Sequence, residues 1–189
     1  MTTRERIQSA ALVLFDVLGV ERTSVATICR EAGVSNGSFF HSFATKEALG
    51  AELFLAALES YHDVMVASVA DRPDAPDGVA RLVRAHLDWV VGSRSQARFL
   101  FERSRSEWIA NVRERQALEN ERFACHLDEW RVPQVHAGTL LDLPRNVFIA
   151  QLIGPSQILC RAWLSGRTAA DPREQATILI DCARRALSA

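Results

Sequence analysis

The stretch from Gly33 to Glu47, Gly-Val-Ser-Asn-Gly-Ser-Phe-Phe-His-Ser-Phe-Ala-Thr-Lys-Glu, constrains this chain most. It calls for a tight turn, a short helix and the start of a longer one. Gly33 suits a helix end, where the backbone takes a positive φ. Ser35 is placed as the next N-cap, its hydroxyl accepting from amides two or three residues on. Asn36, Gly37 and Ser38 then bring small groups, and Phe39, Phe40 and Phe43 bring aromatic ones. Thr45 can cap the helix that follows, with Glu47 favourable in its first turn. A helix this short, with Gly37 inside it, is poor by propensity and needs an anchor. Phe39 and Phe43, one turn apart, can supply it. Asn36, Ser38, Phe40 and His41 are then left outside.

Upstream, Ser24 to Ala32 reads as a partner helix. Ser24 is its N-cap, and Val25, Ile28, Cys29 and Ala32 recur at helical spacing. A helix, a short turn containing Gly and a second helix with polar groups at its start is the helix-turn-helix pattern. An ordinary helical hairpin in an all-α core fits the same pattern.

Residues 4 to 54 resemble the N-terminal domain of TetR-family transcriptional regulators. The resemblance lies in the apolar first helix through Phe15, then Gly19, Thr23-Ser24-Val25, Ile28, Ala32-Gly33-Val34-Ser35, Gly37, Phe39, Phe43 and Lys46-Glu47-Ala48-Leu49. It covers about a quarter of the chain; the remainder resembles the family in length, helical character and helix order. One departure stands out. The family commonly has Tyr, often a phosphate contact, where this chain has Phe40, which offers apolar contact alone, for example to a thymine methyl. Ser42 likewise replaces a more usual His or Tyr.

Charge sets a limit on how such a chain could hold DNA. Lysine and arginine total 22 against 23 acidic residues, a formal net charge of −1. In the N-terminal region Arg4, Arg6, Arg22, Arg30 and Lys46 face Glu5, Asp16, Glu21, Glu31 and Glu47. Bulk electrostatics is therefore excluded as the main source of affinity. Binding would rest on a few placed contacts, doubled by dimerisation.

The chain of 189 residues can bury a sizeable core in one or two domains. No stretch approaches the roughly 20 apolar residues of a spanning helix. The N-terminus lacks the form of a signal peptide, so a cytoplasmic protein without membrane partners is expected. Cys29, Cys125, Cys160 and Cys182 are widely spaced and read as buried reduced thiols.

The rest of the chain reads as successive helices. Thr2 and Glu5 form a capping box ahead of the first, which Gly19 ends. From Lys46 a helix runs to about Val69, roughly 35 Å at 1.5 Å per residue. Arg72 to Gly78, with two prolines, breaks it. Helices are predicted over Val79–Gly92, after Ser95, from about Trp108 to Arg131, over Arg145–Leu164, and from Asp171-Pro172 to about Leu187. Val132 to Pro144 reads as a loop. No segment has the alternation of a strand.

The expected fold is all-α. A helix-turn-helix DNA-binding domain spans 1–48, and a helical ligand-binding and dimerisation domain spans 49–189. By the resemblance, Ser35, Asn36, Gly37, Ser38, Phe40 and His41 form the reading head, while Ser24, Thr27 and Lys46 hold the DNA backbone. The aromatics of the second region could line an apolar pocket or simply form its core. The resemblance favours a ligand cavity there, with Trp89, Phe99, Trp108, Phe123, His126, Trp130, Phe148 and Gln151 as candidates. It also favours a homodimer through the last two helices, with Leu152, Leu159, Ala176, Leu179, Ala183 and Leu187 at the seam. The expected function is a ligand-responsive regulator, a repressor released from a palindromic operator by a small hydrophobic or aromatic effector. Its partners would be double-stranded DNA, that effector and a second copy.

Two rivals remain: a DNA-binding regulator whose pocket is vestigial, and a helical-bundle enzyme or metal carrier. Glu59 and His62 carry the second, as a Glu-x-x-His on one helical face. Di-iron bundles need two such motifs, and the chain has one. No nucleophile elbow or phosphate-cradling loop is present. No catalytic residue, cofactor or metal is therefore expected.

Overall fold

The computed structural model describes residues 1–102 and 112–189. Among these residues the architecture is helical, with an isolated bridge between Leu140 and Ser188 as its only extended pairing. The order is α1 (Thr3–Leu18), α2 (Val25–Ala32), α3 (Asn36–Ser42), α4 (Lys46–Ala67), α5 (Ala75–Gly92), α6 (Arg94–Glu102), α7 (Arg113–His136), α8 (Arg145–Leu164) and α9 (Ala176–Leu187). A 3-10 turn, Pro172–Gln175, leads into α9.

By contact the chain forms two compact units. The first holds 1–58 and 95–116, the second 59–94 and 117–189. The break falls inside α4, so this one helix belongs to both.

In the first unit, local chemistry sets the helix ends. Thr2 Oγ1 accepts from the Glu5 amide at 3.2 Å, and Glu5 Oε2 accepts from the Thr2 amide at 2.7 Å, completing the capping box. Ser24 Oγ accepts from the Thr27 amide, Ser35 Oγ from the Ser38 amide and Thr45 Oγ1 from the Ala48 amide. Gly33 ends α2 at φ 62°, ψ 42°, and the Arg6 guanidinium donates to the Ala32 and Gly33 carbonyls at 2.6 and 2.8 Å. A cation there compensates the helix C-terminus. Ile7, Ala11, Phe15, Ile28, Phe39 and Phe43 are buried, and Phe15 stacks on Phe99 of α6.

In the second unit α5, α8 and α9 pack on one another. Asp74 caps α5 by accepting from the Asp77 amide, so the helix starts within the predicted breaker. Gly78 lets α7 approach: a Cβ there would lie 2.2 Å from Trp130 Cζ2. The Trp130 indole N–H donates to the Pro73 carbonyl at 2.8 Å.

Three expectations need correction. α7 continues through Pro133 to His136, where a loop was expected from Val132. Proline removes one donor, and near a helix end that loss is small; the Ala137 amide still closes onto the Pro133 carbonyl. Cys125 and Cys182 are exposed, although Cys29 and Cys160 are buried and all four are free. Finally, α8 is long and apolar enough to cross a membrane by length and composition, contrary to the reading that no stretch comes close. It packs against α5 and α9 instead. The predicted helix start at Trp108 lies outside the described residues.

Candidate nucleic-acid interface and effector cavity

The α3 helix is held from beneath and open from above. Phe39 is fully buried and Phe43 nearly so, while Phe40 is 57% exposed. The Phe39 ring meets Phe40 edge-on at 5.3 Å and Phe43 at 5.9 Å. Ser35, Asn36, Gly37 and His41 are exposed and Ser38 half-exposed. Shallow clefts flank the helix. Thr3, Ser35, Gly37, Ser38, His41 and Ser42 line one; Ser24, Phe40, Thr45 and Lys46 border the other. Of the expected reading-head residues, Ser35, Gly37, Ser38 and His41 share the first cleft, Phe40 borders the second, and Asn36 is exposed at the start of the helix. The expected backbone-holding residues adjoin it: Ser24 is exposed, and Thr27 and Lys46 are half-buried.

Several cations nearby hold the fold. Arg4 donates to the Ser42 carbonyl at 2.7 Å, pairs with Glu52 and lies over the Phe43 ring. Arg6 caps α2, and Arg22 Nε donates to the Leu18 carbonyl at 2.8 Å. Lys46 Nζ reaches the Glu21 carbonyl at 3.3 Å.

The second unit contains a cavity of about 650 Å³. Its walls come from three helices: Tyr61, His62 and Met65 of α4, Phe123, Ala124 and Leu127 of α7, and Ile149, Leu152 and Ile153 of α8. Ala117 and Ala150 leave room between the larger groups, and Asn120, Glu121, Arg145 and Asn146 bring polarity. That volume and mixture suit a small apolar molecule with a few oriented polar contacts.

Of the expected ligand residues, Phe123 lines this cavity and the rest of those described lie elsewhere. Trp89 stands beside Tyr61 and donates to Ser60 Oγ at 3.2 Å. Phe99 packs in the first unit against Phe15. Trp130 and Phe148 are core residues near each other. His126 and Gln151 face outward. Trp108 lies outside the described residues. Large aromatic size signals burial but does not tell which helix faces enclose the cavity. The missed signal was spacing: Ala117, Asn120, Ala124 and Leu127 recur along one face of α7.

The expected dimer seam also changes. Leu152 lines the cavity, while Ala183 and Leu187 are buried in their own chain. Leu159, Ala176 and Leu179 are half-buried. Ile158 on α8 and Ile178 on α9 are instead 72% and 62% exposed. The stripe read from the sequence is partly the helix's inner face.

His62 does not partner Glu59. Its Nδ1 lies 2.9 Å from Glu119 Oε1, and both side chains are buried. No group of three or more metal-ligating side chains occurs among the described residues. His86 is fully buried with its Nδ1 3.0 Å from the Tyr61 hydroxyl, and burial pushes its pKa down to about 4. Burial pushes the Tyr61 phenol up.

Residues 7–53 match the family model for bacterial regulatory proteins of the tetR family. Over 100 residues the chain is 29% identical to the HTH-type transcriptional regulator AcrR of Shigella flexneri, taking in 53% of this chain and 46% of that protein. The chain thus spans about half the length of the curated relative it matches. A tetR-family regulatory protein from Rhodococcus RHA1 superposes with a TM-score of 0.79 at 22% identity, covering 98% of this chain and 96% of that one. FadR of Bacillus subtilis, solved with stearoyl-CoA, gives 0.80 at 17% identity, covering 95% and 96%. These structural likenesses establish a shared fold. Residues 7–53 thus form a domain similar to that of the tetR family of bacterial regulatory proteins, in a chain that shares the fold of these solved structures.

Proposed function

We propose that the protein is a cytoplasmic, ligand-responsive transcriptional regulator, a repressor released from a palindromic operator by a small hydrophobic or aromatic effector. The surface of α3 carries this reading: Phe39 and Phe43 are buried, and Asn36, Ser38, Phe40 and His41 are presented. In the major groove Asn36 would bond an adenine edge, Ser38 would tolerate several bases, and Phe40 would contact a thymine methyl. Ser35 and Gly37 would complete that reading surface, and Ser24, Thr27 and Lys46 would fix the register on the phosphates.

The functional division falls at residue 48, with DNA binding before it and effector binding and dimerisation after it. α4 joins the two. Tyr61, His62 and Met65 line the cavity, and Lys46 starts the same helix. An effector that displaces the far half of α4 acts on a continuous rod. It shifts DNA binding only as far as its affinity differs between the two states. A homodimer through the outer faces of α8 and α9 supplies the second reading head that two-fold half-sites require.

Selection of bound duplexes from random DNA, repeated with candidate metabolites, tests the reading. Asn36→Ala and His41→Ala should each weaken binding to the selected site by about 1–3 kcal/mol, with helical content and dimer unchanged. Unchanged affinity in both variants would remove α3 from the groove.

A further inference from the structure

One polar group in the cavity wall has its hydrogen-bond chemistry fixed from behind. Glu119 Oε2 accepts from Arg122 Nε at 2.7 Å and Glu119 Oε1 from Arg122 Nη2 at 2.8 Å, while Arg122 also reaches Asp63 at 2.9 Å. The Arg122 guanidinium holds the Glu119 carboxyl below the usual carboxylate range, with the His62 bond adding to it. An ionised carboxylate only accepts, so His62 Nδ1, 2.9 Å away, carries the hydrogen. Burial keeps the imidazole itself neutral, outweighing the pull of Glu119. A neutral ring with its hydrogen on Nδ1 presents a bare lone pair at Nε2.

The ring that carries this nitrogen stands in the cavity wall. His62 and Phe123 both line it, with their rings stacked at 4.3 Å and an interplanar angle of 11°. Nε2 makes no hydrogen bond to a described residue and is not sealed off. The cation in the wall is already neutralised: Arg145 pairs with Glu121 at 3.0 Å and with Asp128 at 2.8 Å. A carboxylate or phosphate would meet a lone pair and the Glu121 carboxylate. A hydroxyl would meet an oriented acceptor.

We propose that this cavity selects a neutral apolar molecule bearing a hydroxyl, a phenol or alcohol, which donates its hydrogen bond to His62 Nε2. Glu119 and Arg122 act as positioning residues by holding the imidazole in that tautomer. The inference rests on reading the cavity as the effector site.

Calorimetric titration of the full chain with 4-hexylphenol, 4-hexylanisole and 4-hexylbenzoate tests it. The three share an apolar body and differ in offering a donor, neither donor nor charge, or a charge. The phenol should bind about ten-fold more tightly than the ether, and the benzoate most weakly. His62→Asn keeps an amide near Glu119 and places nothing at Nε2. It should abolish the preference while still binding the ether. His62→Gln, whose amide reaches the Nε2 position, should retain part of it. If the ether equals the phenol in the wild type, or the benzoate binds most tightly, the inference fails while the cavity reading stands. A preference that persists in His62→Asn also overturns it. Binding of none of the three would remove the cavity reading and this inference together.

Discussion

Single residues here act through what surrounds them. Phe40 is exposed on α3 and borders a shallow cleft. Phe40→Tyr should therefore fold normally and hold or strengthen operator binding through a phosphate contact. A neutral hydroxyl displaces no counterion, so the dependence of affinity on salt should barely change. Gel-shift titration at several salt concentrations checks this, and a large loss would mean that Phe40 fills a tight site in the complex. His86 makes a prediction about acid. Its folded pKa, pushed down to about 4 by burial, lies below the unfolded value near 6.5. The stability it contributes is complete above about pH 6.5 and is lost as pH falls toward 4, on the order of 3 kcal/mol. His62, also lowered by burial, acts with the same sign. Denaturant melts between pH 7 and 4.5 should show the loss, and His86→Gln should flatten it. An equal slope in both proteins would assign the acid sensitivity elsewhere.

At the level of elements, most of what was local was legible, the run of α7 through Pro133 and the start of α5 inside the predicted breaker being the exceptions. The Thr2–Glu5 box, the caps at Ser24, Ser35 and Thr45, and the left-handed turn at Gly33 each depend on residues within a few positions, and each stands where the sequence placed it. So do the bounds of α8, Arg145–Leu164. The illegible parts are those made by distant segments meeting. Glu119, the partner of His62, is 57 residues away from it, while the neighbouring Glu59 that the motif suggested is exposed. The cavity needs alanines of α7 facing isoleucines of α8, and no single-helix pattern records that facing. Gly78 is a further case. Nothing local marks it, yet it is the point at which α5 admits the Trp130 ring. Gly78→Ala should cost about 1–3 kcal/mol by overpacking, read as a fall in Tm on the order of 5–10 °C. A variant as stable as the wild type would show that Trp130 moves aside freely.

For the whole molecule, the proposed dimer is the quantity to measure. Ala183 is buried in its own chain, so a charge there would test folding and not association. Ile158 and Ile178 are exposed. Ile158→Glu combined with Ile178→Glu should leave the helical signal intact, sediment as a monomer, and bind a full operator far more weakly while a half-site is bound as before. A wild-type protein already monomeric at micromolar concentration would end this account of its DNA affinity. The arginines tied to backbone carbonyls, Arg4 at Ser42, Arg6 at Ala32 and Gly33, and Arg22 at Leu18, have a consequence for how such a regulator finds its target. Guanidinium groups already donating to carbonyls of their own fold have fewer hydrogens to offer phosphates, so weak retention on random duplex is the expected outcome. Occupancy of one site depends on the ratio of specific to non-specific binding multiplied by the number of competing sites. A molecule that the bulk of the genome does not sequester can fill a single operator from a small cellular pool.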